Sequence, residues 1–232
     1  MHPTDKTARV AGLLYLAMGI PAAFSEVYVP RTLIVVGNAP ATANNILASE
    51  MLFRIGMVSE LMFATVFIFL VRALYRLLNG VDKTYASLMV TLALVSVPIS
   101  FLNVLNEIAA LALLRGGDFL SVFEKRQMDA LAMMFLNLHR YGFLVDAIFW
   151  GLWLFPFGIL VMKSGFLPRI LGILLIIGCF AWLAVSLTSL LVPSYLKVVT
   201  QVATLPQAAA ELPIILWLLL KGAKVRPLAA PA

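Results

Sequence analysis

"FLNLHRYGFLVDAIFWGLWLFP", residues 135–156, decides how this chain is read. It is as long, apolar and aromatic as the roughly 20-residue helix that crosses a bilayer. Yet His139, Arg140 and Asp146 stand near its start. A charged side chain within a span costs about 2.5–3.5 kcal/mol on insertion scales and marks a functional site by default. The stretch therefore poses two questions: how many such spans there are, and why this one carries charge.

The chain around it is 62% hydrophobic and 12% charged. Soluble domains hold roughly 45–50% apolar and about 25% charged residues, so this composition leaves too little polar surface for life in water. It predicts an all-α, polytopic membrane protein. A length of 232 residues fits one transmembrane domain over 1–232, with no separate soluble domain. Six segments are long and apolar enough to span: about 8–29, 51–77, 85–113, 137–162, 167–192 and 203–221. The first follows Lys6 and Arg9 and imitates a signal peptide up to Ala23-Phe24-Ser25; it reads as the first span. "NGVDK" (79–83) and "KSGFLP" (163–168) are tight links with Gly, Asp and Pro breakers.

Two longer connections remain. The segment 30–50 reads as an irregular loop around "APATANN". The segment 118–135 reads as a helix capped by Asp118, whose Phe119, Val122, Phe123, Ala130, Leu131 and Met134 form an apolar stripe. Such a helix is expected to lie along the membrane surface.

The net charge of +6 does not indicate nucleic acid. The N-tail, tight links and C-tail hold ten basic residues: Lys6, Arg9, Arg72, Arg76, Lys83, Lys163, Arg169, Lys221, Lys224 and Arg226. The opposite side holds seven, Arg31, Arg54, Arg115, Lys125, Arg126, Arg140 and Lys197. That bias predicts cytoplasmic termini. The single cysteine, Cys179, excludes an intramolecular disulfide and a multi-cysteine zinc site.

The opening stretch has a counterpart. "FRIGMVSELMF" (53–63) and "HRYGFLVDAIF" (139–149) both read Arg-x-Gly-x-x-x-acid-x-x-Phe, at an offset of 86 that also aligns Ser100 with Ser186 and Lys83 with Arg169. This pattern predicts a duplicated two-helix hairpin, spans two–three and four–five, related by an axis along the membrane normal. Glu60 and Asp146 are then the repeated acids. His139, opposite Phe53, breaks the repeat.

Polar residues recur on helix faces. Span three carries Ser96, Ser100, Asn103 and Glu107; span six carries Thr200, Thr204, Gln207 and Glu211; span one offers Tyr15, Gly19, Ala22 and Glu26. All follow the 3–4 spacing of one face. Glu60, Asp146 and Glu211 lie about nine residues, roughly 13 Å, from the outer helix ends. Five acids against Arg54 and Arg140, read as their structural charge partners, leave an excess of negative charge.

These residues predict an outward-facing, acid-rich pocket formed by Glu60, Asn103, Glu107, Asp146, Gln207 and Glu211, roofed by 30–50 and 118–135. Its expected ligand is a small molecule or lipid headgroup, cationic rather than anionic. A hard divalent cation would suit the carboxylates, although no DxxD-type cluster fixes its ligands and the single in-span histidine does not resemble a histidine-rich zinc site. Two other functions compete. An intramembrane enzyme acting on lipid would use His139 and Asp146 as its acid–base pair. A proton-coupled transporter would use the same acids but needs polar residues through the apolar stretches 61–71 and 152–162. The bland alternative is a structural bundle whose charges fix helix packing.

"TARVAGLLYL", "TANNILASEMLFRIG", "FWGLWLFPFGILVMKSGFLPRILGILL" and "ELPIILWLLLKG" resemble the bacterial membrane family catalogued as domain of unknown function 4386. The resemblance spans nearly the whole chain. It implies a small six-span protein of the bacterial cytoplasmic membrane, and no activity or functional residues.

Overall fold

A computed structural model describes residues 3–223. His2, Lys224 and Arg226 lie outside the described residues, so the tail charges counted above are represented in part. Among the described residues the chain is helical, with turns and no strand. Six helical segments are long and apolar enough to cross a membrane: Asp5–Leu33, Glu50–Leu78, Lys83–Arg115, Lys125–Lys163, Arg169–Leu191 and Pro193–Leu220. Apolar side chains also crowd the exterior. Leu13, Ile20, Val58, Leu102 and Leu205 are each more than half exposed, as expected for a surface solvated by lipid tails.

The first span combines α1 (Pro3–Ala23), a turn of π-helix (Phe24–Tyr28) and α2 (Val29–Leu33). Next come α3 (Ala39–Ala48), α4 (Glu50–Leu78) and α5 (Lys83–Arg115). The segment 30–50 is therefore mostly helical, not an irregular loop. The local chemistry explains it: the Asn38 side chain accepts from Ala41 N at 3.0 Å, Pro40 fits the first helical turn, and Ala43 and Ile46 are buried.

The segment 118–135 also differs. Asp118–Leu120 forms one 3₁₀ turn, and the chain then enters α6 (Lys125–Leu152). The helix starts at Lys125 because Gln127 Oε1 reaches back to accept from Glu124 N at 2.9 Å, one arm of a capping box. No separate surface helix precedes the span. The residues expected in it continue into the span, and Asp129, Ala132 and Leu136 are buried. A break at Trp153 separates α6 from α7 (Leu154–Lys163). Pro156 accounts for it, because it has no N–H to offer the Leu152 carbonyl. Finally come α8 (Arg169–Leu191), a 3₁₀ turn (Pro193–Tyr195) and α9 (Leu196–Leu220); the last span begins earlier than 203 and includes Thr200.

The chain divides into two compact units. The first takes residues to Leu16, Val66–Ser96 and from Ala147 onward. Here α7, α8 and α9 pack in sequence, and small residues let them approach. A Cβ on Gly158 would lie 2.6 Å from the Gly172 carbonyl oxygen, and one on Gly178 would collide with the Ala210 Cβ. Close backbone approach through small residues replaces the hydrophobic effect as the packing force in lipid. Trp153 anchors this unit between Phe67 and Phe157, at centroid distances of 5.2 and 5.4 Å.

The second unit takes Ala17–Thr65 and Val97–Asp146. Its core gathers Val29, Leu33, Ile46, Phe53, Met57, Val104, Leu111, Ala132 and Leu136. The helical 29–48 segment and the start of α6 thus belong to a packed core. All the acidic residues described next, apart from Glu211, sit in this unit.

Candidate functional site

Three helices of the second unit bring one donor each to a common point. α4 supplies Glu60, α5 supplies Glu107 and α6 supplies His139. One ligand atom from each lies within 4.8 Å of the other two. His139 Nε2 is 2.9 Å from Glu60 Oε2, with side-chain exposures of 14% and 6%. Glu107 is buried, and its Oε2 has no hydrogen-bond partner.

Neighbouring groups hold this arrangement in place. Asn103 lies one turn before Glu107 on α5 and donates through Nδ2 to the His139 carbonyl at 2.9 Å. Gly142 is what lets Asn103 fit, since a Cβ there would collide with the Asn103 amide. Asn106 Nδ2 donates in turn to Asn103 Oδ1 at 3.2 Å. Beside them Ser100 donates to Asp146 Oδ2, while the buried Asp146 Oδ1 has no partner. Glu26 enters from the π-helical turn and couples electrostatically to Glu60, Glu107, Asp146 and His139. Three carboxylates, Glu26, Glu60 and Glu107, thus interact with one imidazole. Even a protonated His139 offsets only one of their charges, and like charges held in low dielectric repel strongly.

The structure brings together Glu60, Glu107 and His139, with Asp146 beside its own serine and Asn103 as a strut. Gln207 and Glu211 are the other two residues expected in the pocket. Those two belong to the first unit, where Glu211 Oε2 accepts the Tyr15 hydroxyl at 2.7 Å and the Trp182 indole lies beside it. Arg54 and Arg140, expected as structural charge partners of the buried acids, Glu60 and Asp146 among them, meet other groups. Arg54 Nε donates to Glu50 Oε1 at 2.7 Å, and the Arg140 guanidinium lies over the Tyr141 ring at 5.0 Å. The reason is helical phase: six residues separate each arginine from its acid, which turns them about 120° apart, whereas Glu50 and Arg54 share a face.

Sequence reasoning underestimated Glu26 and Tyr15. Glu26 reads as an interfacial residue, and only the flanking Pro21 and Pro30 hint at irregular winding. Tyr15 and Glu211 lie at opposite ends of the chain, so no spacing rule connects them. A further feature of the first unit is a cavity of about 470 Å³ lined by Lys6, Thr7, Val10, Leu14, Phe69, Arg72, Ala73 and Arg76, where the positive charge of the tail and of α4 gathers.

The profile of the family described as "Domain of unknown function (DUF4386)" matches residues 10–222. The chain belongs to that family. Neither a curated protein nor a solved structure shows a match to it.

Proposed function

We propose that this family member is a multi-pass protein of the bacterial cytoplasmic membrane that binds a small cationic ligand, a small molecule or a lipid headgroup, in an acid-rich site facing outward. The observation that carries this reading is the convergence of Glu60, Glu107 and His139 from three helices, with a buried Glu107 oxygen left without a partner. An unpaired buried acceptor costs about 1–3 kcal/mol, more when charged. A fold whose acids served only to fix packing would satisfy it, as the Tyr15 hydroxyl satisfies Glu211. Cationic rather than anionic recognition follows from the three carboxylates around the site. The outward direction follows from the basic residues at the tails and tight links, which point the termini to the cytoplasm.

The test is thermal unfolding of the purified chain in detergent with a panel of cations, organic amines and divalent metals, against wild type, Glu60→Gln and Glu107→Gln. Binding at about 100 times Kd adds about 2.7 kcal/mol, an easily read rise in Tm. We expect at least one cation to raise the wild-type Tm and to lose that effect in both variants. A panel without effect on wild type, or with equal effect on the variants, would sink the reading. A cysteine placed at Gly37 should react with a membrane-impermeant maleimide from outside intact cells; reaction from the cytoplasmic side alone would reverse the orientation.

A further inference from the structure

We infer that Glu60, Glu107 and His139 are the protein ligands of one divalent first-row transition-metal ion. The inference rests on the reading of this cluster as a cation site and narrows the occupant to a metal.

The donor set is the first argument. Two carboxylate oxygens and one imidazole nitrogen converge within 4.8 Å. In sequence the acids suggest a hard, all-oxygen site, but Mg²⁺ and Ca²⁺ prefer six or more oxygens. Adding an imidazole moves the preference to ions such as Zn²⁺, Fe²⁺ and Ni²⁺, for which Co²⁺ is a spectroscopic stand-in. Three protein ligands also leave at least one position for water or a further ligand, the hallmark of an open rather than a closed structural site.

Geometry is the second. Donors bound to one tetrahedral ion at ordinary bond lengths stand about 3.3 Å apart. The His139–Glu60 separation of 2.9 Å and the limit of 4.8 Å for the group bracket that value. Side-chain adjustment of an ångström or so completes the site without moving a helix. Asn103 fixes the α6 turn that carries His139, so the imidazole is oriented from behind its backbone.

The third argument is independent of the clustering. Glu107 is 8% exposed and its Oε2 has no partner, although this atom belongs to a side chain already directed at His139 and Glu60. A metal ion supplies the missing partner. It also cancels two of the surrounding negative charges, which no single hydrogen bond can do.

The experiment uses the full chain purified in detergent, stripped with chelator and titrated with Zn²⁺ and with Co²⁺. Metal is counted after gel filtration, and Co²⁺ is followed by its visible absorption. We expect about one equivalent per chain and a Co²⁺ spectrum of low coordination number. Glu107→Gln and His139→Gln should each weaken binding at least tenfold, while Glu211→Gln leaves it unchanged. Less than about a tenth of an equivalent on wild type would overturn the inference, as would full retention by a Glu60→Gln/Glu107→Gln double variant. The wild-type Co²⁺ spectrum needs no variant to fold. Should metals fail while an organic ammonium ion still raises the Tm in a Glu107-dependent way, the metal falls and the cation site stands. Failure of both removes both.

Discussion

Glu107 and Glu211 are both glutamates on apolar helices, each reached by 3–4 spacing from a serine or threonine ladder, and the fold treats them oppositely. Glu211, in the first unit, accepts the buried Tyr15 hydroxyl at 2.7 Å. Glu107, in the second, keeps a buried oxygen without a partner and shares its surroundings with His139, Glu60 and Glu26. The first arrangement is what a carboxylate needs to be tolerated in a packed interior. The second conserves an unsatisfied demand. The lesson is that a buried charge is informative only once its partners are known. The same contrast separates the acids of the two similar stretches quoted above: Glu60 meets an imidazole, whereas Asp146 meets the Ser100 hydroxyl.

This contrast can be broken by a series of substitutions, taken from the largest effect to the smallest. Gly178→Val should be the most damaging, by about 3 kcal/mol, the upper range for overpacking, because the added Cβ meets the Ala210 Cβ, which has nowhere to go. Gly142→Ala is the matched test in the second unit. There the obstacle is the tip of Asn103, which can swing away, so Tm should fall less while cation binding is lost with the Asn103–His139 bond. Equal melting curves for the two glycine variants would contradict this account.

Tyr15→Phe comes next. It removes the Tyr15 hydroxyl bond to Glu211 Oε2 and should cost about 1 kcal/mol, as for a typical hydrogen bond. Combined with Glu211→Gln the loss should be less than additive, readable from tryptophan fluorescence on unfolding. Glu107→Gln, by contrast, should leave the metal-free protein as stable as wild type or more so, since it removes a repelled charge. A drop in Tm as large as that of Tyr15→Phe would show that Glu107 is a structural group after all.

The smallest effect is electrostatic and lies at the α4–α5 link. Lys163 Nζ donates to Asp82 Oδ2 at 2.9 Å, and this bond holds the Asp82 carboxyl below its ordinary value of 3.8. A carboxyl with a depressed folded value stabilises the fold above its unfolded value, and that contribution disappears as pH falls through the folded one. Asp82→Asn should therefore lower Tm slightly at neutral pH and not at all in strong acid. Asn keeps an acceptor for the Thr84 and Tyr85 amides, so the difference isolates the charge. A deficit that persists in acid would assign it to the helix cap instead.

How much was legible beforehand follows from the range of the interactions. The six spans are legible because length and apolarity are local. Glu60, Glu107 and His139 each stand out as polar residues on apolar helices, and depth arguments place Glu60 and Asp146 at one level. Their convergence is another matter, since it depends on how far each helix is turned about its own axis. The 30–50 segment is misread because "APATANN" looks like a loop by composition, although Asn38 and Pro40 are the signals of a helix start. The 118–135 segment is misread because Asp118 was a plausible cap, while the working cap involves Gln127. Arg54 is set against the buried acids because counting charges ignores helix faces, whereas its bond goes to Glu50, one turn away on its own face.

The π-helical turn at Phe24–Tyr28 carries a consequence for how this chain tolerates change. A π turn holds one residue more than the α-helix around it. Deleting any one residue between 24 and 28 would let the segment close into a continuous α-helix with every backbone bond made, and by helical criteria nothing would be lost. Residues after the turn would keep roughly their faces, because the π turn winds its extra residue into the same rotation, but Glu26 would leave the bulge that presents it. The chain here is sensitive to length more than to identity: many substitutions should pass unnoticed where a single-codon deletion would not.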